Sequence, residues 1–144
     1  MKKLLFLAVS AGFIFTSCSS DDDVDSNSIV GNWRPVSEKA ISGKNGSTLY
    51  NDPHSSCYKK STINFKPDNT VSSTLYDENS GGNCENYGTE TYSYSYDAAK
   101  MQLTVDGDVS EVVLLNQKEL HFVSDYDDVN GDGVDDKIIL VFAR

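Results

Sequence analysis

Thr89 to Leu115, TETYSYSYDAAKMQLTVDGDVSEVVLL, decides the fold. Its first eight residues alternate strictly, with Tyr92, Tyr94 and Tyr96 on one side of an extended chain and Thr91, Ser93 and Ser95 on the other. A period of two marks a β-strand with unlike faces, because successive side chains point in opposite directions. Met101, Leu103 and Val105 repeat the spacing, Asp106-Gly107-Asp108 is a hairpin signal, and Val109 to Leu115 carries the chain back.

Similar runs lie on both sides. Upstream, Trp33 to Ile41 reads as a strand, and Ser42 to Ser47 as a loop. Tyr50 to Tyr58 is irregular, Ser61 to Lys66 and Val71 to Tyr76 form a hairpin across Pro67-Asp68-Asn69, and Asp77 to Tyr87 is a loop around Gly81-Gly82. Downstream, Leu120 to Tyr126 and the apolar Lys137 to Phe142 complete about eight short strands, with no long helix between them. Sequential hairpins of this spacing predict an all-β domain over residues 29–144, a small eight-stranded antiparallel up-and-down β-barrel. A two-sheet sandwich is the alternative that periodicity leaves open.

The amino-terminal residues belong to a different polymer. Lys2 and Lys3 precede an apolar run, Leu4 to Phe15, that ends in Thr16, Ser17 and Cys18. A basic start, an apolar segment shorter than the roughly 20 residues of a membrane span, and small residues at the break read as a signal peptide over residues 1–17. Phe15-Thr16-Ser17-Cys18 resembles a bacterial lipobox, departing from it at Phe15, where Leu, Val or Ile is usual. The resemblance implies cleavage before Cys18 and fatty acylation of that cysteine, of the palmitate kind. Ser19 to Ser28, SSDDDVDSNS, has no periodicity and too little apolar surface to fold, so residues 18–28 read as a lipidated cysteine and a disordered acidic tether. Acidic residues directly after such a cysteine resemble the export signals of Bacteroidota lipoproteins. That implies a lipid-anchored outer-membrane protein facing the periplasm or the cell surface.

The whole chain carries a net charge of −10. Loss of Lys2 and Lys3 with the signal leaves 10 basic and 22 acidic side chains, or −12. Such a surface repels phosphate backbones and anionic lipid, which excludes nucleic-acid partners and leaves the lipid anchor as the membrane contact. The sequence names no protein partner. Cys57 and Cys84 remain as an even pair in an exported chain, where disulfides persist, and neither sits in a CxxC metal motif. Joined, they close a loop worth on the order of 3 kcal/mol of unfolded-state entropy.

Gly31-Asn32-Trp33, opening the first strand, resembles the Gly-x-Trp signature of the lipocalin family, and the later pattern is similar to the lipocalin-like domain of Bacteroidota lipoproteins. The resemblance implies a barrel with Gly31 and Trp33 at its closed base, Arg144 packed across the indole, and a small hydrophobic ligand inside. The chain departs from the family in having no long helix after the last strand and no match to a second signature. If Tyr92, Tyr94 and Tyr96 face inward they line an aromatic cavity; the alternative is a packing ladder or a solvent-facing stripe.

Asp128 to Asp136, DVNGDGVDD, is the most chemical-looking stretch. Asp128, Asn130 and Asp132 fall at positions 1, 3 and 5 of a calcium loop, the Val134 carbonyl at 7 and Asp136 at 9, with Gly133 at the sharp turn. Position 12 is Ile139 in place of a bidentate glutamate. Structural calcium and an ion-free Asx-rich turn both remain open. No cofactor is required, and the two histidines, His54 and His121, belong to no catalytic motif, so the chain reads as non-enzymatic. The expected function is that of a lipid-anchored cell-envelope protein that binds a small hydrophobic molecule. Its alternative is an accessory or interaction module with a filled core, stabilised by calcium.

Overall fold

The computed structural model describes residues 28–144, so the signal, Cys18 and all of the tether except Ser28 lie outside the described residues. Nine strands follow in order: β1 (Gly31–Ile41), β2 (Thr48–Pro53), β3 (Thr62–Phe65), β4 (Thr70–Glu78), β5 (Cys84–Asp97), β6 (Gln102–Val105), β7 (Asp108–Leu115), β8 (Glu119–Asp127) and β9 (Asp136–Ala143). A 3-10 turn at Tyr58–Lys60 is the one helical piece among the described residues.

The expected eight-stranded up-and-down β-barrel is overturned. The chain forms a nine-stranded antiparallel sheet, ordered β2-β1-β3-β4-β5-β6-β7-β8-β9, which does not make a closed barrel. The reason lies in β1. Gly31 to Trp33 pair with β3, and Arg34 to Ile41 pair with β9, which curls the sheet back on itself. From Ser37 onward, however, β2 occupies the side of β1 that β3 would need for a continuous ladder. β3 has only four residues and stops at Thr74 of β4, so Leu75 to Glu78 have a strand neighbour on one side only. The seam is open where a barrel requires unbroken pairing.

Two elements differ locally from expectation. β2, read as irregular, is exposed along almost its whole length, so it carries no alternation; its backbone ladder and a 2.9 Å hydrogen bond from the Tyr50 phenol to Glu38 hold it. Burial and that carboxylate push Tyr50 up to about 12. β5 begins at Cys84, inside the expected loop, and Tyr87 bulges between the pairs Leu75–Gly88 and Tyr76–Asn86. The Cys57–Cys84 disulfide ties this strand start to the 3-10 turn, with the Cα atoms 5.4 Å apart.

The core follows the period of two. Trp33, Phe65, Val71, Tyr94, Leu103, Val112, Leu115, Leu120 and Phe142 are buried in one cluster against Ile29. Each comes from the inward side of its strand, and Phe122 stacks on Phe142 with centroids 5.5 Å apart. β9 is buried on both faces, since Ile139 and Val141 alternate with Ile138 and Phe142. That accounts for its near-continuous apolar sequence.

Candidate functional site

Inside the curl lies a cavity of about 500 Å³. Its wall is built from inward residues in register. Phe65, Val71 and Tyr92 form one row across β3, β4 and β5, with Ile63 and Ser73 as the neighbouring pair. Leu103 opposes Ser110 and Val105 opposes Asp108 across β6 and β7, while Phe122 comes from β8. Aromatic and aliphatic groups thus line the interior, and its polar groups are the Ser73 and Ser110 hydroxyls and the carboxylates of Asp106 and Asp108. The volume falls within the roughly 300–1,000 Å³ range of small-molecule sites.

The β6–β7 turn places those carboxylates. Asp106 (φ 51°) and Gly107 (φ 95°) both adopt left-handed conformations, as a two-residue hairpin between Val105 and Asp108 demands. The Asp106 amide donates to the Ser93 carbonyl at 3.0 Å, which fixes the turn against β5. Asp106 and Asp108 are exposed, so they belong to the mouth of the cavity.

The three stripe tyrosines have different surroundings. Tyr92 lines the cavity, and its phenol donates to the Glu90 carboxylate, which raises its pKa above the ordinary phenol value. Tyr94 is buried edge-on against Phe65 at 4.8 Å and donates to the Lys66 carbonyl at 2.9 Å; burial raises its pKa. The Tyr96 hydroxyl meets Met101 Sδ at 3.2 Å, and burial raises its pKa too. Only Tyr92 is among the residues that line this cavity. Phe65, Val71, Leu103, Val105 and Phe122 share the site without having been singled out from the sequence; their i, i+2 spacing was the available signal.

The remaining candidates lie elsewhere. Trp33 is fully buried, its indole N–H donating to the Ile29 carbonyl at 2.8 Å, and the Arg144 guanidinium lies 4.1 Å above the ring centroid. Gly31 (φ 138°) faces the same guanidinium, 3.4 Å from where a Cβ would stand. In the acidic loop, Asp128 accepts from the Asp132 and Gly133 amides at 2.9 Å each, and Asn130 and Asp132 accept from the Asp132 and Val134 amides. Asp136 is fully buried and accepts from the amides of Gly43 and Val129, at 3.0 and 3.1 Å. Val134 is exposed. These oxygens are committed to backbone N–H groups, and among the described residues no group of three or more His, Cys, Asp or Glu side chains is placed to hold a metal ion. Among the described residues, too, no helix is long and apolar enough to cross a membrane.

Comparison with known proteins gives one match: the family model described as lipocalin-like domain covers residues 29–122, from the residue that accepts the Trp33 N–H to the last wall residue of the cavity. No curated protein and no solved structure matches the chain.

Proposed function

We propose, from the premise that this chain belongs to the lipocalin-like domain family, that it binds a small and largely apolar molecule in the cavity between β3 and β8. The observation that carries the reading is the cavity wall. Ile63, Tyr92, Val105 and Phe122, all half-buried, present apolar surface to a space open at one side, over a floor of buried Phe65, Val71 and Leu103. A module with a filled core would have closed that space. The wall is mostly apolar surface for burial, and with the family match the reading is a non-enzymatic one.

The same reading makes the protein a lipid-anchored one of the cell envelope. Its support is the Leu4 to Phe15 run and the Thr16-Ser17-Cys18 break in the sequence. Metabolic labelling with an alkyne analogue of palmitate tests the anchor: the native chain takes up label and Cys18→Ala does not. Equal labelling of both refutes it.

For the ligand, Ser73→Phe projects a ring into the cavity from a half-buried strand position without adding charge. The native domain should enhance the fluorescence of N-phenyl-1-naphthylamine, a neutral apolar probe, and Ser73→Phe should abolish the enhancement while unfolding at nearly the same urea concentration. A native domain that leaves the probe dark overturns the proposal.

A further inference from the structure

The cavity is apolar within but acidic at its mouth. Asp106 and Asp108 line it, no lysine or arginine does, and Glu90 sits beside them through the Tyr92 phenol. Among the described residues the ion pairs are Lys44–Asp132, Lys100–Asp97, His121–Glu119 and Lys137–Glu111, and none of them uses Asp106 or Asp108. The chain as a whole carries −10, so its field adds to the local one.

We infer that the occupant is a cationic amphiphile, an alkyl or aryl chain ending in an ammonium group. The inference rests on the cavity being the ligand site. The apolar end lies against Ile63, Val105 and Phe122, and the ammonium meets the Asp106 and Asp108 carboxylates at the mouth. A fatty-acid carboxylate bound the same way brings a third negative charge to Asp106 and Asp108. Two features fix the backbone that carries the carboxylates. Asp108 is cross-strand partner to Val105, on the same face of the β6–β7 pair, and Asp106 is held in its left-handed turn by the bond to Ser93.

Competition against N-phenyl-1-naphthylamine tests the inference, with dodecylammonium, dodecanol and laurate as competitors, each below its micelle concentration. Dodecylammonium should displace the probe at roughly tenfold lower concentration than dodecanol, as expected for two partly exposed ion pairs, and laurate should be the weakest. In Asp106→Asn/Asp108→Asn the gap between dodecylammonium and dodecanol should shrink toward unity. Asparagine keeps the left-handed turn accessible at position 106. Asp52→Asn/Asp77→Asn makes the same change in net charge on β2 and β4, outside the site, and should keep the gap. Laurate displacing as well as dodecylammonium, or a gap that survives in the Asp106/Asp108 variant, overturns the charge preference. A probe that the native domain does not bind at all overturns both this inference and the cavity reading beneath it.

Discussion

The guanidinium of Arg144 lies 4.1 Å above the indole of Trp33, joining the last residue of the chain to the first strand. The same group donates to the carbonyls of Ser28 and Val30, at 2.6 and 3.0 Å, so it clamps the segment that leads into β1. Truncating the fully buried ring in Trp33→Ala should cost about 3–5 kcal/mol in urea unfolding. Arg144→Met, which keeps apolar cover but loses the charge and the donors, should cost about 1–2 kcal/mol. Arg144→Lys should recover only part of that loss, because an ammonium lacks the planar fork. Equal stability of the native chain and Arg144→Met would refute the clamp.

The disulfide is a second cross-link, between the 3-10 turn and the start of β5. It closes a loop of 27 residues, and its loss should destabilise the domain by about 3 kcal/mol through unfolded-state entropy. Cys57→Ser/Cys84→Ser and the reduced native chain should unfold at the same lowered urea midpoint. If reduction leaves that midpoint unmoved, the bond contributes nothing to stability.

What was legible in the sequence tracks which residues have one face in the core. Tyr92-Ser93-Tyr94-Ser95-Tyr96 and Leu103-Thr104-Val105 write their inward sides into a period of two, and the structure has strands at both. Thr48 to Pro53 and Cys84 to Gly88 are strand segments exposed along almost their whole length, so backbone pairing orders them with no pattern in the side chains. Closure failed as a prediction for a different reason. It depends on which strand takes the second side of β1 after Ser37, and no local spacing records that β2 does so. The cavity is non-local in the same way. Alternation marks Phe65, Leu103 and Phe122 as inward, but the curvature of the sheet decides that they border a space.

Asp136 and Gly43 hold the acidic loop to the end of β1. The buried carboxylate accepts from the Gly43 amide at 3.0 Å, and a Cβ on Gly43 would stand 2.1 Å from the Asp135 carbonyl oxygen. Asp136→Ala leaves the Gly43 and Val129 amides without their acceptor and should cost about 2–4 kcal/mol. Gly43→Ala should cost about 1–3 kcal/mol by forcing the two segments apart. Because both act on one contact, the double variant should lose clearly less than the two single losses combined in the same urea assay. Strict additivity would show that the two residues act separately.

Acid sensitivity should come first from the histidines. His121 is 8% exposed; its Nδ1 lies 3.3 Å from the Lys39 ammonium and its Nε2 3.6 Å from the Glu119 carboxylate. Burial, then Lys39, lowers its pKa, and the pull of Glu119 is the smaller effect, so the folded protein favours neutral imidazole. His54 is lowered as well, chiefly by burial, with Lys59 adding to the shift and Glu38 opposing it. The unfolded chain binds protons at the ordinary value of about 6.5, above either folded value. Stability is therefore fully present above that pH and falls as the pH drops below it, by at most about 1.4 kcal/mol per pH unit for each histidine. Urea unfolding from pH 7.5 to 5.5 should show this decline in the native chain. It should be shallower in His121→Gln and nearly flat in His54→Gln/His121→Gln, before the carboxylates begin to titrate. An unchanged slope in the double variant would assign the acid sensitivity to other groups.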